Sequence, residues 1–178
     1  MSSESRRLVD GRVAERDRNR EGRPENARPR DRFGRPLAYG LPDELGDRQD
    51  PAQVVSTVAQ ALEAVTGLFA ERRFFEAHEF LEWVWKSDQV EPADRDYWKG
   101  VTQAAVGFAH TQRGNADGAL TLLRRAQRHM ASYPSPHGGV DRDRLSAGAQ
   151  DVVDQILANG PSPDLDFPGF PVVSPGAA

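Results

Sequence analysis

Apolar side chains recur at intervals of three and four residues through most of the chain between residues 50 and 158. This spacing places them along one face of an α-helix. Pro, Gly and Asn separate the periodic stretches and are typical of helix ends and turns. No segment alternates apolar and polar residues with the period of two that indicates a half-buried β-strand. The pattern therefore predicts an all-α fold, a compact bundle of four to five helices.

Five segments have the periodicity and the end signals of helices. Asp50 and Asn115 are suitable N-caps for the first and the fourth, and Pro51 suits a first helical position. The second stops before Pro92, and the fifth is closed by the turn residues Asn159 and Gly160. The predicted helices cover about residues 50–72, 74–86, 92–114, 115–130 and 141–158.

Two glycines lie inside the third predicted helix. Gly100 and Gly107 are seven residues apart and therefore share one face. Each costs about 1 kcal/mol relative to alanine in a helix interior, so close approach of a neighbouring helix is the expected compensation.

The ends of the chain differ from its centre and predict three parts. Residues 1–48 form a charged, extended or disordered N-terminal arm, residues 49–160 the helical domain, and residues 161–178 a Pro-rich tail. Few large apolar side chains occur in the arm, and four of these could form an irregular strap across the helices: Phe33, Leu37, Tyr39 and Leu41. In the tail, Phe167, Phe170 and Val172 could dock on the domain surface.

Length and composition narrow the class of protein. A chain of 178 residues is long enough for one domain with a core. The absence of cysteine excludes disulfides and thiolate metal sites, so any metal would need His and carboxylate ligands. No apolar run approaches the roughly 18 to 20 residues of a membrane span, and the first residues lead into charged rather than apolar sequence. We therefore expect a cytoplasmic protein that does not enter a membrane.

The charge is unevenly distributed along the chain. Residues 1–48 hold 12 Arg and 10 acidic residues, whereas the remainder holds 11 basic and 17 acidic residues, so the arm is +2 and the body −6. Acids interleaved with the arginines weaken any phosphate-binding field, which makes nucleic-acid binding an unfavoured hypothesis. Arginine outnumbers lysine 21 to 2, which suggests a GC-rich bacterial genome.

The second predicted helix carries the most chemistry. At about 100° per residue, His78 and Glu82 lie one turn apart at the edge of its apolar face, where both could point inward. Glu76, Glu79 and Trp83 fall on the outer side, which predicts a solvated face for Glu76. An indole on that side suggests a partner surface, which a second copy of the chain could occupy.

A matching pair lies on the third predicted helix, since Gln103 and His110 share one side with Gly107 between them. If this side meets the second helix, His78, Glu82 and His110 converge. Two imidazoles and a carboxylate suffice for a catalytic Zn²⁺, Fe²⁺ or Mn²⁺ with positions left for water. Glu79, or Glu76, could take the proton of a metal-bound water, which favours metal-assisted hydrolysis.

The same residues have a non-catalytic interpretation. His78 and Glu82 could pair at i, i+4, while His110 and Gln103 complete a buried hydrogen-bond network that fixes helix packing. The sequence leaves both interpretations open.

Several runs of residues together resemble the domain-of-unknown-function 309 family, small helical proteins often labelled predicted metal-dependent hydrolases. The similarity is specific over about residues 68–130. The resemblance implies an all-helical fold and a polar site at the positions His78, Glu79, Glu82, Gln103 and His110. The runs that carry it are Phe75-Glu76-Ala77-His78-Glu79, Leu81-Glu82 with Trp85, Gly100-Val101, Gln103-Ala104-Ala105, His110 and Arg113-Gly114-Asn115.

Three functions are compatible with the sequence. The first is a metal-dependent hydrolase of a small molecule, with His78, Glu82 and His110 as ligands and Glu79 as base. The second is a non-catalytic scaffold, a homo-oligomer or protein-binding module whose polar cluster is structural. The third and weakest is an accessory nucleic-acid binder that uses the arginine-rich arm.

Overall fold

The computed structural model describes residues 8–9, 12–13, 28–46 and 48–173. Within these ranges six α-helices form a bundle, which confirms the predicted all-α fold. Two two-residue strands near the N-terminus, β1 (Leu8–Val9) and β2 (Arg12–Val13), pair antiparallel. The helices are α1 (Pro51–Val54), α2 (Val58–Ala70), α3 (Phe74–Lys86), α4 (Arg95–Gln112), α5 (Ala116–Met130) and α6 (Arg142–Asn159), with a single 3₁₀ turn at Pro92–Asp94.

The predicted starts of the fourth and fifth helices agree with the structure, where side chains cap α5 and α6. The carboxylate of Asp141 accepts the Arg144 N–H at the start of α6 at 3.0 Å. The amide oxygen of Asn115 accepts the Gly118 N–H at the start of α5, also at 3.0 Å. These contacts satisfy backbone donors that have no partner inside the helix.

The first predicted helix is wrong in one respect, because the structure divides it into α1 and α2. The chain is extended at Val55 and Thr57. The hydroxyl of Thr57 accepts the Gln60 N–H at 3.2 Å, and the amide oxygen of Gln60 accepts the Ser56 N–H at 2.8 Å. This reciprocal arrangement is a variant of the capping box and starts a new helix.

Consecutive helices pack on one another, from α2 on α3 through to α5 on α6. Helix α4 is the most deeply buried and also touches α6. Gly100 and Gly107 face α5, where a Cβ on Gly107 would lie 2.6 Å from Leu123 Cδ2. The predicted close approach of a neighbouring helix is therefore confirmed, and the neighbour is α5.

The C-terminal segment completes the core through aromatic packing. Phe170 is buried, with its ring centroid 5.0 Å from that of Phe69, and Phe167 lies 4.9 Å from Phe74. The Asp141 N–H donates to the Pro171 carbonyl at 2.8 Å. Residues 161–173 thus pack against the helices, and Phe167 and Phe170 dock as predicted, whereas Val172 is exposed.

Residues 28–46 also lie on the helices. Phe33 and Leu37 are partly buried, whereas Tyr39 and Leu41 are exposed, so two of the four predicted strap residues make the contact. The rest of the predicted arm lies largely outside the described residues. None of the described helices combines the length and apolar character that a membrane span requires.

Candidate functional site

Glu76 in the first turn of α3 is buried, which corrects the predicted solvated face. Arg73 precedes the helix and folds back over it, so that its Nε donates to Glu76 Oε1 at 2.7 Å and its Nη2 contacts Oε2. These hydrogen bonds to Glu76 are the largest influence on Arg73 and raise the pKa of its guanidinium. A bidentate, charge-assisted pair of this kind is stronger and more directional than a single neutral hydrogen bond. Glu76 is therefore held by an arginine at the N-terminal end of its own helix.

His78 lies one turn further along and is partly buried. Its Nδ1 contacts the carbonyl oxygen of Phe75, and its ring centroid lies 4.8 Å from that of Phe75. A carbonyl oxygen can only accept, so Nδ1 carries the proton in this contact and the neutral ring keeps its lone pair on Nε2. Burial lowers the pKa of His78 and so favours the neutral form.

Glu79 and Glu82 line an open groove of about 530 Å³ beside α3. Glu82 is bound by Lys86 at i, i+4. Glu79 is partly buried, and its carboxylate makes no direct hydrogen bond or ion pair in the described part of the chain. Burial raises the pKa of Glu79, although Arg48 opposes the shift. The groove is lined by Arg48, Gln49, Asp50, Pro51, Glu79, Glu82, Trp83 and Lys86.

His110, the second predicted imidazole ligand, faces the turn between α4 and α5. Its Nδ1 lies 2.8 Å from Asn115 Nδ2. The oxygen of the Asn115 amide already accepts the Gly118 N–H, which leaves Nδ2 as the donor and His110 Nδ1 as the acceptor. Gln103, on the same side of α4, is partly buried, and its Oε1 has no hydrogen-bond partner among the described residues.

The predicted convergence of His78, Glu82 and His110 is not found in this structure. Within the described ranges, no group of three or more His, Cys, Asp or Glu side chains is arranged to hold a metal ion. The reason lies in Gly107, which shares the face of Gln103 and His110 and packs against α5. This face of α4 is therefore turned toward α5.

Two arginines beside this cluster were not among the predicted site residues. The guanidinium carbons of Arg30 and Arg113 each lie 5.0 Å from the centroid of the Phe75 ring. Burial, together with Arg30, lowers the pKa of Arg113 to about 10. The sequence contained a signal for one of these two arginines, since Arg113 belongs to a run that carries the family resemblance.

A second polar cluster ties the start of α4 to the end of α5 and to the segment that follows it. His137 Nε2 lies 3.0 Å from Asp94 Oδ1, and His129 Nδ1 lies 2.8 Å from Asp96 Oδ1. The Tyr97 hydroxyl donates to the His137 carbonyl at 3.0 Å. These contacts hold elements of the bundle together, and the sequence assigned neither histidine a role.

Comparison with known proteins confirms the predicted resemblance. The model of the family described as Domain of unknown function (DUF309) matches residues 62–122, which run from α2 into α5. The chain is 38% identical over 89 residues to "Uncharacterized protein YpuF" of Bacillus subtilis (strain 168), a stretch of 49% of this chain and 51% of that protein. It is 25% identical over 113 residues to an "Uncharacterized protein" of Aquifex aeolicus (strain VF5), a stretch of 64% of this chain and 33% of that protein.

The chain therefore spans about half the length of the first relative and a third of the second. No solved structure matches it. The similarity to the family lies in residues 62–122, and neither relative's printed name states an activity.

Proposed function

We propose that this chain is a non-catalytic protein-binding module that receives a lysine or arginine side chain of a partner protein in the groove beside α3. The observation that carries the proposal is the environment of Glu79. Its carboxylate is partly removed from water, faces the groove, and has no direct partner in the described part of the chain.

The groove has the charge and the shape for such a side chain. Lys86 binds Glu82 and Arg48 lies 3.3 Å from Asp43, so neither cation of the groove contacts Glu79 directly, although Arg48 acts on it from a distance. A carboxylate held partly away from water binds a cation more strongly than an exposed one does. Trp83 lines the same groove and offers an aromatic ring against which a cationic side chain can pack.

Under this proposal, the polar residues in the runs that carry the family resemblance stabilise the fold. Glu76 is bound by Arg73, His78 contacts the Phe75 carbonyl, and Asn115 donates to His110. Each contact joins neighbouring turns or helix ends. This arrangement supports the interpretation of the cluster as a structural network.

Binding of a basic peptide tests the proposal. An acetylated and amidated tetralysine peptide is titrated into the full chain by calorimetry, with tetraglutamate as the charge-reversed probe. We expect tetralysine to bind and Glu79→Gln to weaken its affinity roughly tenfold, the effect of losing one charge-assisted contact. Glu63→Gln, an exposed acid on α2, is the matched control and should leave the affinity unchanged.

Equal affinity of the wild-type chain and Glu79→Gln would contradict the assignment of the groove, as would the absence of tetralysine binding at low salt. Sedimentation over a range of concentrations separates this proposal from the homo-oligomer alternative, in which a second copy covers Trp83.

Metal-dependent hydrolysis of a small molecule is the second candidate, with His78, Glu82 and His110 as ligands and Glu79 as base. The orientation of His78 favours it, because the contact between Nδ1 and the Phe75 carbonyl leaves the Nε2 lone pair available for a metal. A divalent Zn, Mn or Fe would supply an acidic bound water. Binding would require Glu82 to leave Lys86 and His110 to leave Asn115, and it would also require the His110 face of α4 to turn from α5 toward α3.

Metal titration tests this candidate separately from the peptide experiment. Protein treated with chelator and then dialysed is titrated with Zn²⁺ and Mn²⁺, and stoichiometric binding that His78→Ala abolishes would support it. His129→Ala is the control, since His129 pairs with Asp96 elsewhere in the bundle. Binding that survives His78→Ala, or no stoichiometric binding at all, would refute the ligand assignment.

A further inference from the structure

Residues 29–37 form a small hairpin with its own hydrogen bonds. The Leu37 N–H donates to the Pro29 carbonyl at 2.8 Å, and the Asp31 N–H donates to the Arg35 carbonyl at 2.9 Å. The Asp31 carboxylate also accepts the N–H groups of Phe33 and Arg35 across the turn. These contacts define the turn of the hairpin.

The hairpin is seated on the start of α3 and the end of α4. Gly34 lies at its tip with φ +75°, and a Cβ there would lie 2.2 Å from Phe75 Cγ. Arg113 Nε donates to the Phe33 carbonyl at 2.7 Å, and Arg35 Nη2 donates to the Arg113 carbonyl at 2.8 Å. On the side of the helices, Arg113 therefore makes both of these hydrogen bonds to the hairpin.

Seating the hairpin also has a cost in the structure. Arg30 and Arg113 place two like charges around the single ring of Phe75. Nη2 of Arg113 is buried and has no acceptor among the described residues. Release of the hairpin would return this N–H group to water and separate the two guanidinium groups, which offsets part of the loss of its hydrogen bonds with Arg113.

We infer that the hairpin 29–37 is a cap that opens and closes over Phe75 and His78, and that Arg113 is the latch that holds it closed. The ring of Phe75 links the two, because it contacts the hairpin on one side and His78 on another. Opening would admit solvent and small ligands to the imidazole. This inference rests on the hairpin contacts and does not depend on the proposed peptide groove.

Limited proteolysis of the full chain tests the latch. Trypsin cleaves after arginine, and Arg32 is exposed at the turn, so cleavage of the Arg32–Phe33 bond measures release of the hairpin. We expect Arg113→Ala to increase the rate of this cleavage roughly tenfold, because a tenfold change corresponds to the loss of one charged hydrogen bond. Arg113→Lys should increase it too, since an ammonium lacks the planar fork that reaches Phe33.

Arg95→Ala is the matched control. Arg95 likewise donates from its guanidinium to a backbone carbonyl, that of Trp85, but at a distance from the hairpin along the chain. Cleavage after Arg32 should keep its wild-type rate in this variant. Acylation of histidines by diethyl pyrocarbonate provides a second readout, in which His78 becomes more reactive in Arg113→Ala while His137 does not.

Gly34→Ala tests the same cap from the hairpin side, where a substitution leaves all helices unchanged. Its added methyl group would collide with Phe75 and Arg113, so this variant should also be cleaved faster after Arg32. The inference is overturned if Arg113→Ala and Gly34→Ala both keep wild-type cleavage rates. If Arg113→Ala fails to fold, the rate in Gly34→Ala decides the outcome alone.

Discussion

Gly100 in α4 provides a sharp test of the packing between α4 and α5. A Cβ added at this buried position would lie 2.8 Å from His129 Cβ and 3.0 Å from the Ala126 carbonyl oxygen. Neither atom can move by side-chain rotation, since one is a Cβ and the other belongs to the backbone. Alanine at position 100 would therefore force α5 away from α4.

Gly67 in α2 is the matched control for this change. It also lies inside a helix, but no heavy atom would come within 4 Å of an added Cβ. Alanine is favoured over glycine by about 1 kcal/mol at both positions. At Gly100 this gain is opposed by an overpacking cost of about 1–3 kcal/mol. We thus expect Gly67→Ala to be more stable than Gly100→Ala by about 1–3 kcal/mol.

Thermal and urea unfolding of the two variants measure the difference. For a chain of this length about 1 kcal/mol shifts Tm by roughly 2–4 °C, so Gly67→Ala should melt above the wild type by that amount. Gly100→Ala should gain less than Gly67→Ala or melt below the wild type. If Gly100→Ala is stabilised as much as Gly67→Ala, the close contact between α4 and α5 is refuted.

Three further predictions concern charge, packing and pH. Glu76→Gln should lower the free energy of unfolding by about 1–3 kcal/mol, because it removes the charge of a buried acceptor. Glu71→Gln, which alters the exposed second partner of the same Arg73, should cost less than about 1 kcal/mol in the same urea titration. Phe170→Ala should destabilise by about 3–5 kcal/mol, since it empties a site in the aromatic core, and a loss below 1 kcal/mol would refute its burial. Hydrogen bonds from backbone N–H groups at the start of α6 are the main cause that lowers the pKa of Asp141. The Asp141 carboxylate therefore stabilises the folded state above its unfolded-state pKa, and this stabilisation is lost as the pH falls through its folded-state pKa. Asp141→Asn should therefore reduce the fall of Tm between pH 5 and 3, and an unchanged acid slope would contradict this origin.

Local signals were sufficient to predict most of the helices. α3 was predicted with its observed bounds of Phe74–Lys86, and the cap at Asn115 fixed the start of α5. The fifth predicted helix, residues 141–158, differs from α6 by one residue at each end. The break before α2 was missed although its signal was present, because Thr57 and Gln60 have the spacing of a capping box. Apolar periodicity continues across this break, and it therefore concealed the change of direction.

The candidate site was harder to predict because a helical wheel gives the angle of a side chain and not its neighbour. The wheel placed Gln103 and His110 on one face but could not show that this face meets α5. Gly107 on the same face was the best signal, since it predicted the close approach of some helix. The wheel wrongly placed Glu76 on a solvated face for a similar reason, because it did not include Arg73, which precedes the helix and covers this carboxylate.

The three glutamates of α3 show why a site cannot be inferred from residue type alone. Glu76 is bound by Arg73, and Glu82 is bound by Lys86, so the chain itself satisfies both carboxylates. Glu79 lies between them in sequence, is partly buried, and faces the groove without a direct partner among the described residues. A partly desolvated carboxylate that Arg48 balances only from a distance keeps part of its desolvation cost, and direct binding of a cation from outside the chain would relieve that cost. The three carboxylates differ in whether the chain supplies a direct partner, and the sequence pattern did not show this difference. Glu79 is therefore the residue on which the proposed function depends.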